Sequence, residues 1–331
     1  MLSRYRKDRK EGHKPQDSKQ FHNRHNVLLL ICFAFIFILS GCDIFGPSNN
    51  KQGQGEITMT ITGTVVYLEI IAIGDVAVDW GGEGKEEIHQ DDYSIRYRYV
   101  YQWEKASEYV ITIYGNVTHL RVAEIGLTSL DLTKNPQLEE LYISYSNMLT
   151  SLDLTRNKKL KRLFINRNPI TSLDLKNNVK LESIGIYGTQ LHSLDLTSNN
   201  LLESVSLDSN QITSLNIGNK KMLRYLDVSK NQLSHLNIMS CATLYCLVLV
   251  NNQLTNLNLS GCTSLSYAFL SNNRFLHKEL DDLFHTLHNN DTYGKHITVF
   301  YNPGDKESDK TIAESKGWQV GTEYPTNGNS E

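Results

Sequence analysis

Hydrophobic and polar residues follow one repeating pattern along the C-terminal half of the chain. A phrase of nine residues, LTSLDLTKN at its first occurrence, begins at Leu127, Leu149, Ile170, Leu191, Ile212, Leu233 and Leu254. The first two starts are 22 residues apart and the later ones 21, and an eighth register opens at Phe275. Residues 127–274 contain 32 Leu and 20 Asn, so chance does not explain the repeat.

Each unit contains the aliphatic phrase twice. One unit shows both halves, at Leu160, Leu163, Ile165 and Asn168 and then at Ile170, Leu173, Leu175 and Asn178. Aliphatic residues two positions apart form a short strand with one buried face, and the Asn that follows suits a turn, where its amide satisfies backbone groups. Coils stack at the strand spacing of about 4.8 Å. Since no unit buries its apolar side alone, the pattern predicts a solenoid with two parallel sheets on opposite sides.

The regions on either side of the repeats have different patterns. Between residues 56 and 115, apolar residues alternate with period two, as in Ile57, Met59 and Ile61, and glycine-rich turns separate the runs. This pattern predicts a small antiparallel β-sandwich. After the repeats, residues 278–288 form an amphipathic helical pattern that precedes a strand and a short helix. An open solenoid needs a cover over its last coil, so the C-terminal segment is predicted to be a cap.

The LxxLxLxxN phrase resembles the motif of leucine-rich repeats, and the 21-residue unit resembles their irregular bacterial class. Residues 106–331 also resemble the repeat region and cap of leucine-rich surface lipoproteins of Bacteroides-type bacteria. The segment VDWGGEG and the tyrosine-containing strands after it are similar to β-sandwich domains of the polycystic-kidney-disease type (PKD-like). These resemblances imply a mainly β fold, with a PKD-like β-sandwich at 56–115, a leucine-rich repeat solenoid at 116–274 and a mixed α/β C-terminal cap at 275–331.

The N-terminal residues have the pattern of an exported, lipid-anchored protein. A basic stretch precedes residues 27–39, which are thirteen residues without a charge. This run is too short to span a bilayer as a helix but has the length of a signal-peptide core. The next residues, Leu-Ser-Gly-Cys, resemble the bacterial lipobox, which implies a signal peptide at 1–41, lipidation of Cys42 and a flexible linker at 42–55. We therefore expect a bacterial outer-membrane lipoprotein that faces either the cell surface or the periplasm.

Charge and cysteine content narrow the function further. The formal net charge is −3, and it becomes −8 once residues 1–41, with eight bases and three acids, are left out. Nucleic-acid binding needs a cationic surface, so we predict no nucleic-acid partner. Three cysteines remain after Cys42, at Cys241, Cys246 and Cys262, and Cys246 falls at an outward position. Cys241 and Cys262 occupy turn-Asn positions of successive units, where we expect free thiols although that spacing also permits a disulfide.

Differences between the units indicate the working face. The second-half strand is monotonous, whereas the first-half strand varies at its outward positions. Its exposed central position reads Tyr142, Phe164, Gly185, Ser206, Asp227, Val248 and Phe269. The predicted binding face comprises Tyr142, Phe164, Tyr187, Tyr225, Val248, Val250, Tyr267 and Phe269. Aromatic side chains aimed at solvent on a rigid sheet are typical of surfaces that bind proteins or glycans. The alternative is that strands tolerate such residues through cross-strand packing.

Metal binding and catalysis receive little support from the sequence. A column of like charges at Asp131, Asp153, Asp174 and Asp195 would be relieved by calcium, but outward carboxylates on a hydrated sheet are screened, so we predict no metal site. No nucleophile elbow, phosphate loop or metalloprotease motif occurs, and we predict neither an enzyme nor a cofactor. The sequence favours a monomeric, membrane-anchored envelope protein that recognises or adheres to a protein or glycan. A structural spacer, or less favourably an enzyme with a cryptic site, is the alternative.

Overall fold

The computed structural model describes residues 55–81, 84–88, 97–123, 126–291 and 294–321. The predicted signal peptide, the lipidation of Cys42 and nearly all of the predicted linker lie outside the described residues. Within the described ranges the chain forms fifteen strands and two helices, which confirms the mainly β fold class.

The N-terminal region is built from two long, bent strands. The elements are β1 (Glu56–Asp79), β2 (Lys85–Ile88), β3 (Tyr97–Ala123) and β4 (Gly126–Asp131). In the first set of pairs, residues 56–63 of β1 lie between residues 107–114 of β3 and strand β4. In the second set, residues 67–70 of β1 lie between two parts of β3, residues 97–100 and 120–123. Each long strand therefore belongs to two sets of strand pairs.

The change from one set of pairs to the other takes place at glycines. Gly115 in β3 has φ +135°, and a Cβ there would lie 2.9 Å from the carbonyl oxygen of Asp75. Inside this region Trp80 stacks on Tyr101 at 4.7 Å, and Trp103 stacks on Tyr109 at 4.3 Å. Residues 56–115 are thus rich in strands, as predicted. Their similarity to PKD-like domains stays a prediction. The predicted boundary between residues 115 and 116 falls inside β3.

The repeats form one parallel ladder that continues from β3. Its strands are β5 (Glu140–Ser144), β6 (Arg162–Asn166), β7 (Ser183–Tyr187), β9 (Ser204–Ser206), β11 (Tyr225–Asp227), β12 (Cys246–Val248), β13 (Tyr267–Phe269), β14 (His296–Thr298) and β15 (Gln319–Gly321). Each strand pairs in parallel with the strand of the preceding coil. The aliphatic residues of both half-phrases fill the space inside the coils, where nearly all of them are buried. The predicted leucine-rich repeat solenoid is confirmed.

The predicted second parallel sheet is present only in part. In the described ranges, the second-half phrases form a parallel pair only at β8 (Ser193–Asp195) and β10 (Ser214–Asn216), and the first of these phrases pairs as β4 with β1. The Asp and Asn column bonds to the backbone both where the phrase pairs, as at Asp131 and Asp195, and where it does not. The carboxylate of Asp153, for example, accepts hydrogen bonds from the backbone N–H and hydroxyl of Thr155 at 2.8 and 2.7 Å. Such side-chain bonds turn the backbone just after the aliphatic pair.

Buried asparagines join each coil to the next, as the motif predicts. In the second half of the unit, Asn199 Nδ2 donates to the carbonyl oxygens of Leu175 and Asn178 at 3.0 and 2.9 Å. In the first half, Asn252 Nδ2 donates to Val228 O at 2.8 Å, and its Oδ1 accepts from the N–H of Leu233 at 3.0 Å. Equivalent bonds recur from coil to coil. These two ladders satisfy backbone groups that the turns leave unpaired inside the solenoid.

The C-terminal cap is mixed α/β, as predicted. It contains α1 (His277–Thr286), β14, α2 (Thr311–Glu314) and β15. Leu280, Leu283 and Phe284 of α1 are buried against the last coil. Lys316 Nζ donates to three carbonyl oxygens at the end of α1, at 2.6 to 3.1 Å, and so caps the helix. Neither helix in the described ranges has the length and apolar character needed to cross a bilayer.

Candidate binding face

The outward side chains of the parallel ladder lie in register and form what we call the sheet face. Neighbouring strands place equivalent residues side by side, so that Tyr142 of β5 pairs with Phe164 of β6. The middle row of the sheet face runs through Arg121, Tyr142, Phe164, Gly185, Ser206, Asp227, Val248, Phe269 and Thr298. The face therefore changes in chemistry along the solenoid, from aromatic to acidic and back to aromatic.

An aromatic group covers the strands near the N-terminal end of the sheet face. The rings of Tyr142 and Phe164 stack at 4.8 Å with an interplanar angle of 9°. Gly185 follows in the same row, and a Cβ there would lie 2.5 Å from Phe164 Cδ1 and 2.6 Å from the Tyr187 hydroxyl. Both side chains therefore lean over β7 because that position has no side chain. Burial raises the pKa of the Tyr187 phenol above its usual range.

A charged cluster borders this aromatic group. The guanidinium of Arg162 donates to the carboxylate of Glu140, and His119 Nε2 lies 3.4 Å from the same oxygen. Burial alone would raise the pKa of Glu140, but the hydrogen bond and charge of His119, together with Arg162, lower it to about 2. The guanidinium of Arg121 lies over the ring of Tyr142 at 5.5 Å. Glu140 is thus a fully compensated carboxylate.

The centre of the sheet face contains a second buried carboxylate with different surroundings. Asp227 is 2 % exposed. Its Oδ1 accepts from the N–H and hydroxyl of Ser229 at 2.8 and 2.6 Å, and the Tyr225 hydroxyl donates to Oδ2 at 3.3 Å. Burial raises the pKa of Asp227 to about 6, the hydrogen bonds oppose this rise, and the nearby charge of Asp208 adds to it. The centre therefore holds a carboxylate that gives up its proton only near pH 6.

A second aromatic group lies on the C-terminal strands. Tyr267 is half-buried and contacts Tyr245 edge-on at 5.4 Å. The ring of Phe269 lies 6.3 Å from those of both Tyr267 and His296. Val248 extends this apolar surface towards the centre of the face. The two aromatic groups flank the acidic centre from opposite sides.

The structure places all eight predicted binding residues on or beside this ladder, but not all of them face solvent as expected. Seven are half-buried, namely Tyr142, Phe164, Tyr187, Tyr225, Val248, Val250 and Tyr267. The expected exposure of Phe269 is wrong, since it is only 2 % exposed between the neighbouring rings. Gly185, Ser206 and Asp227, also expected at exposed positions, are buried, and the side chains of Phe164 and Tyr187 lie over Gly185. Cys246, expected to point outward, is buried as well, in register between Tyr225 and Tyr267.

Sequence reasoning left the charged residues of the sheet face out of the predicted binding residues. Glu140, Arg162 and Asp227 occupy outward positions of the same strands as the predicted aromatics. The signal was available, because each stands two residues from a predicted aromatic residue. Their pairing depends on which strands are neighbours, which a single unit does not show.

The Asp column of the second-half strands has a structural explanation. Asp131, like Asp153, accepts from the N–H and hydroxyl of the Thr two residues later, at 2.9 and 2.6 Å for Thr133. The hydroxyl and then the N–H lower the pKa of Asp131. In the described part of the chain, no group of three or more His, Cys, Asp or Glu side chains is arranged to hold a metal ion.

The asparagine ladder of the second half changes chemistry after Asn199. The next three positions are Lys220, Cys241 and Cys262, all 0 % exposed. Both cysteines are free thiols, and burial raises the pKa of Cys262 to about 12, so it is a poor nucleophile. Lys220 Nζ is buried and has no hydrogen-bond partner. Lys220 is therefore a charged residue in a ladder that otherwise contains amide and thiol side chains.

Comparisons with known proteins reveal similarity in structure alone. No protein-family model matches the chain, and no curated protein matches its sequence. The functional domain of InlJ from Listeria monocytogenes, which includes a cysteine ladder, is similar at a TM-score of 0.47 and 23 % identity; the match covers 57 % of this chain and 45 % of that domain. Internalin C2 from the same species is similar at 0.42 and 20 % (50 % and 77 % covered), and internalin InlF at 0.39 and 20 % (59 % and 70 %). The chain thus spans less than half of the InlJ domain.

Proposed function

We propose that this chain is a non-catalytic recognition protein whose sheet face binds a protein partner. The observation that supports it is the row of half-buried aromatic side chains, which backbone register and ring contacts hold in place before any partner arrives. Rigid aromatic surfaces bind at a low entropic cost, and Tyr is enriched in binding hot spots. A glycan ligand and a purely structural spacer are the outcomes that the experiment below distinguishes.

We also propose that the protein is an outer-membrane lipoprotein, anchored through lipid on Cys42. The lipobox resemblance and the thirteen-residue apolar run before it support this anchor. A Cys42→Ala variant should then appear in the soluble rather than the membrane fraction of cells. Protease treatment of intact cells distinguishes the two orientations, since only a surface-facing protein would be degraded.

Site-specific photocrosslinking tests recognition by the sheet face. Benzoyl-phenylalanine is placed at position 142 or 267 on the face, or at position 193 or 214 as controls, where exposed serines lie in the separate sheet of β8 and β10. We expect a discrete protein adduct from the face positions in cells and none from the controls. A glycan partner would give an adduct that glycosidase treatment removes.

A variant with four substitutions on the face provides the complementary test. Tyr142→Ser, Tyr187→Ser, Tyr225→Ser and Tyr267→Ser together should abolish the adduct formed from position 164, while circular dichroism verifies the β fold. Met222→Ser with Met239→Ser is the control, because both side chains are exposed and lie outside the strands of the ladder, and it should leave the adduct unchanged. If face and control positions give the same result, the spacer is correct and the proposed recognition is wrong.

A further inference from the structure

The centre of the sheet face contains a carboxylate without a cation. Every donor to Asp227 is neutral, namely the N–H and hydroxyl of Ser229 and the hydroxyl of Tyr225. Asp208 follows β9 and adds a second negative charge close to it. Lys230 Nζ forms an ion pair with Asp208 Oδ2 at 3.6 Å. Among the described residues, none forms an ion pair with Asp227.

Glu140, on the same face, is a carboxylate whose negative charge is neutralised by neighbouring cationic side chains. It has an arginine and a histidine within contact, and its pKa is lowered to about 2. Asp227 has no such partner, and burial raises its pKa to about 6. At neutral pH the isolated protein therefore keeps an ionised, desolvated carboxylate at a cost in free energy. A cationic group supplied from outside would remove that cost.

The surroundings of Asp227 suit the side chain of a lysine or arginine. Tyr187 and Tyr225 lie on either side of the carboxylates. The Tyr225 hydroxyl donates to Asp227. Burial raises the pKa of Tyr187, and the negative charges of Asp227 and Asp208 both raise it further. Tyrosine rings attract cations through their faces. Between these rings, the middle row of the face carries only the small residues Gly185 and Ser206 beside Asp227. Negative charge, aromatic rings and small neighbouring side chains thus lie together at the centre of the face.

We propose that the partner places a lysine or arginine side chain against Asp227 and Asp208, between Tyr187 and Tyr225. The inference rests on the proposed function, because it names the partner chemistry of the same face. Strand spacing also predicts the neighbours of that basic residue. Phe164 lies three strands from Asp227, about 14 Å, and Tyr267 lies two strands away, about 10 Å. An extended segment that crosses the strands would have apolar residues about four positions to one side and three to the other.

Selection from a random peptide library displayed on phage tests this inference. The full chain, purified in detergent, is immobilised at pH 7.5 as wild type, Asp227→Asn or Asp208→Asn. The matched control is Asp153→Asn, which also removes one negative charge but in an exposed turn of the second-half column. Asn is tolerated in that column, since Asn237 accepts a hydrogen bond from the backbone N–H of Met239 at 3.2 Å. Urea unfolding of each variant verifies that the fold is retained.

We expect wild type and the Asp153→Asn control to enrich peptides with a Lys or Arg between apolar residues. Asp227→Asn and Asp208→Asn should lose that preference, and replacing the basic residue of a selected peptide by Gln should weaken its binding to wild type at least tenfold. Enriched peptides without a basic residue, or a preference that survives both substitutions, would overturn the inference and leave the proposed function standing. Peptides that bind the four-tyrosine variant as well as wild type, or no enrichment at all, would instead contradict the proposed function.

Discussion

Replacing Lys220 by Asn should stabilise the protein. Lys220 occupies a ladder position where Asn199, one coil earlier, donates two hydrogen bonds at 3.0 and 2.9 Å, whereas its own Nζ is buried without a partner. An Asn at position 220 would donate to the equivalent carbonyl oxygens, those of Leu196 and Asn199. Two hydrogen bonds contribute about 1 kcal/mol each, and removing a buried unpaired donor contributes about 1 to 3 kcal/mol more.

The loss of apolar contact opposes this gain. Asn has roughly two fewer methylene groups than Lys, and each buried methylene is worth about 0.8 kcal/mol. The net increase in the free energy of unfolding is therefore about 1.5 to 3 kcal/mol. Because burial lowers the pKa of Lys220, the folded wild type releases this proton more readily than the unfolded chain. Wild-type stability should then rise with pH up to the unfolded value near 10.5, and the advantage of Asn should shrink over that interval.

Urea unfolding at pH 7 and pH 10, followed by circular dichroism, measures both effects. Lys221→Asn is the matched control, since the neighbouring lysine is exposed, and it should change the free energy of unfolding by less than about 0.5 kcal/mol. The converse change, Asn199→Lys, should destabilise the protein because it removes two ladder bonds. A Lys220→Asn variant no more stable than wild type, together with a harmless Asn199→Lys, would refute the ladder reasoning.

Three further perturbations test other parts of the solenoid. Asp227→Asn should raise the free energy of unfolding by about 2 to 3 kcal/mol at pH 8 and leave it unchanged below pH 4. The reason is that the raised pKa of folded Asp227 makes wild-type stability fall as the pH rises from about 4 to 6. Urea unfolding at both ends of this pH range measures the difference, and an equal effect of the substitution at both ends would contradict it. Gly185→Ala should displace Phe164 and Tyr187 and cost about 1 to 3 kcal/mol, visible as a lower melting temperature and altered near-ultraviolet dichroism, whereas an unchanged spectrum would argue against their close approach. Asn252→Ala removes hydrogen bonds to three backbone groups and should cost about 2 to 4 kcal/mol by urea unfolding, and a loss below 0.5 kcal/mol would mean that water replaces them.

The repeat architecture was predictable from sequence because each unit states its own local requirements. Aliphatic residues two apart and an Asn three positions later determine the strand, the turn and the buried amide, as at Asn168 and Asn178. The same periodicity located the cap, since the pattern stops at Phe275 and an amphipathic helix follows. The repeat period alone therefore predicts those parts of the fold that are the same in every coil.

The chemistry of the sheet face was less predictable because it depends on neighbours 21 residues apart. Alternation indicates that Phe269 points outward, but the rings of Tyr267 and His296 on the same face bury it. Likewise, whether a carboxylate is compensated depends on the next coil, which supplies Arg162 to Glu140 and only Val248 beside Asp227. Pairing of the second-half phrases also depends on the neighbouring strand, because Asp131 and Asp195 lie in paired strands although they make the same side-chain bonds as Asp153.

Strand β3 has a consequence for how this protein loses its structure. Its residues 107–114 pair with β1, and its residues 119–123 pair with β5, so one continuous backbone belongs to both the N-terminal sheet and the first coil. Melting either region would remove the template of the other, and unfolding should therefore be a single cooperative transition rather than two. Loss of the segment before Gly115 would remove β1, which pairs with residues 119–123 of β3, and would leave the solenoid with an unprotected strand edge. Unprotected edges pair with other chains, so such a fragment should aggregate, and β1 keeps the intact molecule from self-association.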